Sequence, residues 1–199
     1  MLRHRIARLK SHHLFLLALI AGTAITVGYF AYAYAADHPA LKAIKLSEYV
    51  AVAGQIETSQ VKQIKLNGYK TIVDFRPDGE AAGQASSQEI EAESQRHGIR
   101  FIYLPVPHGD GVPEEVVTKL ASVVDQPDGQ PVLLYCRSGR RATRAWSLAE
   151  ASRTQGMGDQ EILRTAKAAG QSVDDLNAAI TEKVRQRPIV VTTRSGESK

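Results

Sequence analysis

A single cysteine, Cys136, in 199 residues rules out an internal disulfide framework. The six histidines (His4, His12, His13, His38, His97 and His108) never pair at metal-ligand spacing in the folded part, so neither a metal nor another cofactor is expected. The chain has no internal repeat, no oligomer signal and no acidic residue before Asp37. That last scarcity explains the net charge of +4: Arg3, Arg5, Arg8 and Lys10 carry all of it, leaving 21 basic against 21 acidic residues downstream. A charge-balanced domain lacks the basic footprint of a nucleic-acid binder, and that class of partner is excluded.

What is present begins with 23 uncharged residues, 14–36. As a helix this run would be roughly 35 Å long, enough to cross a hydrocarbon core of about 30 Å. The basic segment 1–13 holds the N-terminus in the cytoplasm and sends the following domain to the periplasmic or other extracytoplasmic side. A cleaved signal would do the same and leave a secreted domain, and Ala33-Tyr34-Ala35 offers a small-x-small cleavage site. Signal cores usually run about 7–15 residues, so the length favours a retained single-pass anchor. Tyr29, Phe30, Tyr32 and Tyr34 gather toward its outer end, where aromatic rings settle at a membrane interface. Residues 37–44 read as a linker, 45–184 as one domain and 185–199 as a polar, loose tail.

Within the domain, β-prone apolar runs alternate with helical patterns. Strands are expected at 49–54, 70–75, 100–106 and 131–135. Helices are expected after Thr58, from the capping box Ser86-Ser-Gln-Glu89 to Gly98, after Pro113, over 143–153, over 159–169, and from the box Ser172-Val-Asp-Asp175 to about residue 184. This alternation predicts an α/β fold on a mostly parallel sheet, with ligands bound beyond the carboxyl ends of the strands. That rule gathers Arg76 and Asp78, His108 and Asp110, and the segment from Cys136 to Thr143 at one mouth.

The last of these organises the rest. Pro131-Val-Leu-Leu-Tyr-Cys136-Arg137-Ser138-Gly139-Arg140-Arg141-Ala142-Thr143 reads as strand, loop and helix. At such a junction, loop N–H groups and a helix N-terminus converge on one place and cradle negative charge. A thiol held there among arginines ionises more readily than a free one, and the thiolate is the nucleophile.

The blocks Val50-Ala-Val-Ala-Gly-Gln-Ile56, Phe75-Arg-Pro-Asp-Gly-Glu80 and Tyr135-Cys-Arg-Ser-Gly139 resemble the bacterial phosphatase-like domain first named in beta-lactamase hydrolase-like proteins. The likeness spans about residues 45–184. It implies the fold of tyrosine and dual-specificity phosphatases, with Cys136 attacking a phosphoester, Arg141 as the loop arginine, and Arg137, Ser138, Gly139 and Arg140 binding substrate. The hydroxyl residue that the pattern expects next is Ala142 here, which leaves thiolate support to Thr143. Asp110, 26 residues before the cysteine between two glycines, is the expected acid, with His108 and Asp78 as substitutes; it can equally be a plain turn residue. Arg76 either holds substrate charge or pairs with a nearby carboxylate.

Two further readings stay open. The usual cysteine phosphatase places its arginine six residues after the cysteine, whereas Arg140 and Arg141 stand at four and five. That tighter spacing is the one found in rhodanese-like sulfurtransferases, which would carry a persulfide on Cys136. A catalytically silent anion-binding module would show the same loop. The expected partner is therefore a phosphorylated or sulfur-donor small molecule or protein.

Overall fold

The computed structural model describes residues 11–37, 40–109 and 111–188. It divides into two compact units, Met1–Ala40 and Leu41–Lys199. The first contains one helix, α1 (Ser11–Asp37). Within α1, Phe15–Ala33 has a mean hydropathy of 1.8, and by length and composition it can cross a membrane; a signal sequence passes the same test. Phe15, Ile25 and Phe30 are all exposed on it.

The second unit holds a five-stranded sheet, β1 (Ala43–Lys45), β2 (Val50–Ala53), β3 (Thr71–Asp74), β4 (Arg100–Tyr103) and β5 (Val132–Tyr135), in the order β1-β2-β5-β3-β4. All neighbours are parallel except β1, which pairs antiparallel with β2. The three inner strands are buried along their whole length, as strands covered by helices on both faces must be. Because successive side chains alternate, Val52, Val73, Val132 and Leu134 join the core formed with α4 (Glu114–Val124), α5 (Arg140–Ser152), α6 (Asp159–Ala168) and α7 (Asn177–Arg185). Ala51, Ile72, Leu133 and Tyr135 join the other core, with α2 (Val61–Leu66) and α3 (Ser87–Arg96). Trp146 of α5 is fully buried in the first. The α/β architecture expected from the sequence is thus the one observed, with β5 at the centre.

Several local expectations are corrected. The linker ends early, because Ala43 to Lys45 pair with Ala51 to Ala53; three residues are too few to show a periodicity. The third expected strand stops at Tyr103. Glu57, not Thr58, closes a box with Gln60 over a short 3-10 turn before α2. The box at Ser86 and Glu89 forms as expected, with Glu89 N–H donating to Ser86 Oγ at 3.2 Å and Ser86 N–H to Glu89 Oε2 at 2.8 Å. The box at Ser172 does not cap α7. Asp174 turns back to Ser172 Oγ at 2.8 Å, and Asp175 leaves for another helix. The tail also begins later than expected, because Arg187 donates to the carbonyls of Glu150, Ala151, Gly156 and Met157 at 2.7–2.8 Å.

Candidate active site

Cys136 follows the central strand and is 1% exposed. Three residues later Gly139 adopts φ +85, a left-handed angle that glycine takes without cost, and α5 starts at once. The helix therefore begins three residues before the sequence pattern suggested. Two loop carbonyls are occupied from outside. Gln55 N–H, just past β2, donates to Arg137 O at 3.2 Å, and Gln171 Nε2 donates to Ser138 O at 3.2 Å. Among the described residues, none of the six N–H groups from Arg137 to Ala142 donates to a protein acceptor. Three of the six are the first amides of α5, which have no partner within a helix. Donors left open at a helix N-terminus attract an anion.

Beside the loop lies a cleft of about 490 Å³. His108 and Gly109 line it from the segment after β4, and Arg137, Ser138, Arg140 and Arg141 from the loop and the first turn of α5. Arg144 and Asp175 complete the wall, paired with each other through two bonds of 2.8 Å. Arg144 holds the Asp175 carboxyl below its usual range.

Arg141 is anchored. It donates to Val106 O at 2.8 Å and pairs with Glu80, whose Oε1 lies 2.7 Å away. The same carboxylate accepts from Arg76 Nε at 2.8 Å, and Arg76 also donates to Gln55 Oε1 at 2.5 Å. Burial pushes the Glu80 carboxyl up, but the two guanidinium groups outweigh it and hold it below the usual range. One carboxylate thus fixes two arginines, one on the cleft and one behind it.

A second buried acid sits deeper. Asp74 ends β3 opposite Tyr135, accepts from Arg76 N–H at 2.7 Å and is hydrogen-bonded to the Tyr135 phenol. Burial raises its pKa to about 6 against the pull of those bonds. The Tyr135 phenol is raised as well, first by burial and then by the Asp74 charge.

The expected site residues fall into three groups. Arg137, Ser138, Arg140, Arg141 and His108 share the cleft, while Gly139 shapes the loop above buried Cys136. Arg76, Asp78, Ala142 and Thr143 are not on its wall. Arg76 is buried against Glu80, the pairing alternative of the two expected for it. Asp78 accepts from the Ser87 N–H and hydroxyl at 2.6 Å each and so serves α3. Ala142 is buried, and the Thr143 hydroxyl donates to Gly139 O at 2.9 Å, not to the thiol. Asp110 lies outside the described residues. Sequence reasoning missed Glu80, Gln55, Arg144, Gln171 and Asp175. Glu80 stood within a block already quoted, and only its distance from Arg141 along the chain hid the contact.

Residues 43–153 match the family described as the beta-lactamase hydrolase-like protein, phosphatase-like domain. The chain belongs to that family. A beta-lactamase hydrolase-like protein of Xylella fastidiosa (strain Temecula1) is 29% identical over 110 residues, covering 55% of this chain and 25% of the relative. The chain thus matches about a quarter of the length of the curated relatives. Among solved structures, a candidate phosphatase from Neisseria meningitidis Z2491 is 30% identical, with a TM-score of 0.59, over 70% of this chain and 96% of its own. Tk-PTP in its active form superposes with a TM-score of 0.58 over 73% of this chain and 97% of its own, at 14% identity, a likeness of fold alone. The family domain is thus a cysteine-dependent, phosphatase-like hydrolase fold, as its first motif suggested.

Proposed function

We propose that this domain hydrolyses phosphomonoesters through a phosphocysteine on Cys136, and that α1 anchors it on the outer side of a membrane. The observation that carries the reading is the run of six N–H groups from Arg137 to Ala142 without a protein acceptor among the described residues, directly after the only cysteine. In the first step the Cys136 thiolate attacks phosphorus, an S–P bond forms, and the P–O bond to the leaving group breaks. The leaving oxygen takes a proton from an acid, a role we give to Asp110, two residues beyond the cleft residue His108. In the second step water attacks phosphorus and gives a proton back to the Asp110 carboxylate, the S–P bond breaks, and inorganic phosphate leaves with the thiolate restored. The loop amides and Arg141 bind the equatorial oxygens, where charge is spread in the transition state. The basic residues Arg3, Arg5, Arg8 and Lys10 before α1 support this orientation.

The spacing of Arg141, five residues after Cys136, supports a second reading, a persulfide carrier, and a single experiment separates the two. Full-length protein in detergent is assayed with para-nitrophenyl phosphate and, in parallel, with thiosulfate plus cyanide. Phosphate release that Cys136→Ser abolishes, without thiocyanate formation, is the expected result. Thiocyanate without phosphate release would replace the phosphatase reading with the sulfur one, and neither product would leave only an anion-binding module. Asp110→Asn should slow hydrolysis of alkyl phosphates by about 10²–10⁴-fold and leave a sulfur transfer nearly unchanged.

A further inference from the structure

The cleft holds more positive charge than one phosphate needs. Arg141 shares the one charge of Glu80 with Arg76, and Arg144 is paired with Asp175. Among the described residues, the side chains of Arg137 and Arg140 have no ion-pair or hydrogen-bond partner, although both line the same cleft and Arg140 acts on Asp175 from beyond bonding distance. Arg140 and Arg144 stand four residues apart on α5, so their side chains lie on one face of the helix, with an axial separation of roughly 6 Å. Like charges so placed repel, and Asp175, paired with Arg144 and within electrostatic reach of Arg140, carries one negative charge against the two positive ones. Two guanidinium groups lining a cleft beside an open helix N-terminus are stabilised when an anion joins them. The volume, about 490 Å³, is that of a site for a small organic molecule rather than for orthophosphate alone.

We infer that the substrate carries a second anionic group, bound by Arg140 and Arg144 while the first phosphate occupies the loop after Cys136. The inference rests on the phosphatase reading of that loop and adds a substrate class, phosphomonoesters with a second phosphate or similar dianion a few bonds away. Asp175, 60% exposed on its side chain, takes one N–H from each amino group of Arg144 and so fixes the guanidinium in the cleft wall, leaving its other N–H groups for a ligand. Arg140 supplies a guanidinium without a partner at bonding distance among the described residues.

The test compares a two-headed probe, trimethylene bisphosphonate, with its one-headed analogue, propylphosphonate. Binding to full-length protein is measured by calorimetry, so the result does not depend on turnover. The bisphosphonate should bind at least about tenfold more tightly, and Arg140→Gln and Arg144→Gln should each reduce that preference by about tenfold, close to the worth of one charge-assisted hydrogen bond. Arg140 makes no contact that folding requires, so its variant remains informative even where the Arg144 variant is unstable. Equal binding of the two probes by the wild type would overturn the inference, as would a preference that survives both substitutions. Failure of the phosphatase reading shows separately, as absent aryl phosphate hydrolysis.

Discussion

Glu80 is the residue on which the geometry of the site turns, because its carboxylate is shared between Arg141 on the cleft and Arg76 behind it. Glu80→Gln keeps the shape but removes the charge, so both guanidinium groups lose their common partner. Catalytic efficiency on an aryl phosphate should fall by about 10²-fold, the usual cost of a misplaced catalytic group. Stability should fall by roughly 1–3 kcal/mol, the cost of leaving buried polar groups unmatched. Steady-state kinetics and urea unfolding of the variant check the two effects. Asp74 makes a different prediction. Its folded pKa of about 6 lies above the ordinary value, so the folded state holds the proton more tightly than the unfolded chain does. The stabilisation this gives is fully present below about pH 4, and it is lost as pH rises through about 6, amounting to roughly 3 kcal/mol. Thermal unfolding across that window should show the decline in the wild type and a flatter profile in Asp74→Asn.

At the scale of elements, α5 is held at both ends by chain distant in sequence. Its start depends on Gly139 and the amide of Gln171, and its end on Arg187, which gathers four carbonyls around the turn after the helix. Gly156 belongs to that arrangement, since a Cβ there would lie 2.0 Å from Glu150 O. Arg187→Ala should lower stability by about 2–3 kcal/mol, because it leaves several carbonyls without a charged donor; a drop in the urea midpoint with unchanged slope is the expected signature. These contacts mark the boundary of what the sequence could tell. The four strands around Cys136, the start of α3 and the loop itself were legible, since each is written in neighbouring residues as an apolar run, a capping box or a glycine. β1 was not, because three residues carry no period. Glu80 with Arg141, Arg144 with Asp175, and Arg187 with α5 were not either, because each joins residues about 30 or more apart. A pair of opposite charges at such separation looks the same in sequence whether it meets in space or not.

For the whole molecule, the two units predict separable behaviour. α1 exposes apolar side chains from Phe15 to Tyr32, whereas the unit Leu41–Lys199 buries its own two cores. Full-length protein should stay with membranes through alkaline carbonate extraction, and a chain starting at residue 41 should be soluble with its aryl phosphatase activity retained. Recovery of the full-length protein in the carbonate supernatant would remove the anchor from the proposal. A reporter active only outside the cytoplasm, fused after Lys199, should be active, and silence from it would reverse the orientation.

The loop after Cys136 is gripped through its carbonyls by Gln55 and Gln171, and its amides, without a protein acceptor among the described residues, are left as the face proposed for a ligand. The side chains at 137, 138 and 140 take no part in that grip. They form an interchangeable cassette on a fixed frame, so drift at these three positions can retune which anions are accepted without endangering the fold, and a randomised library confined to them should stay largely folded while its members diverge in selectivity.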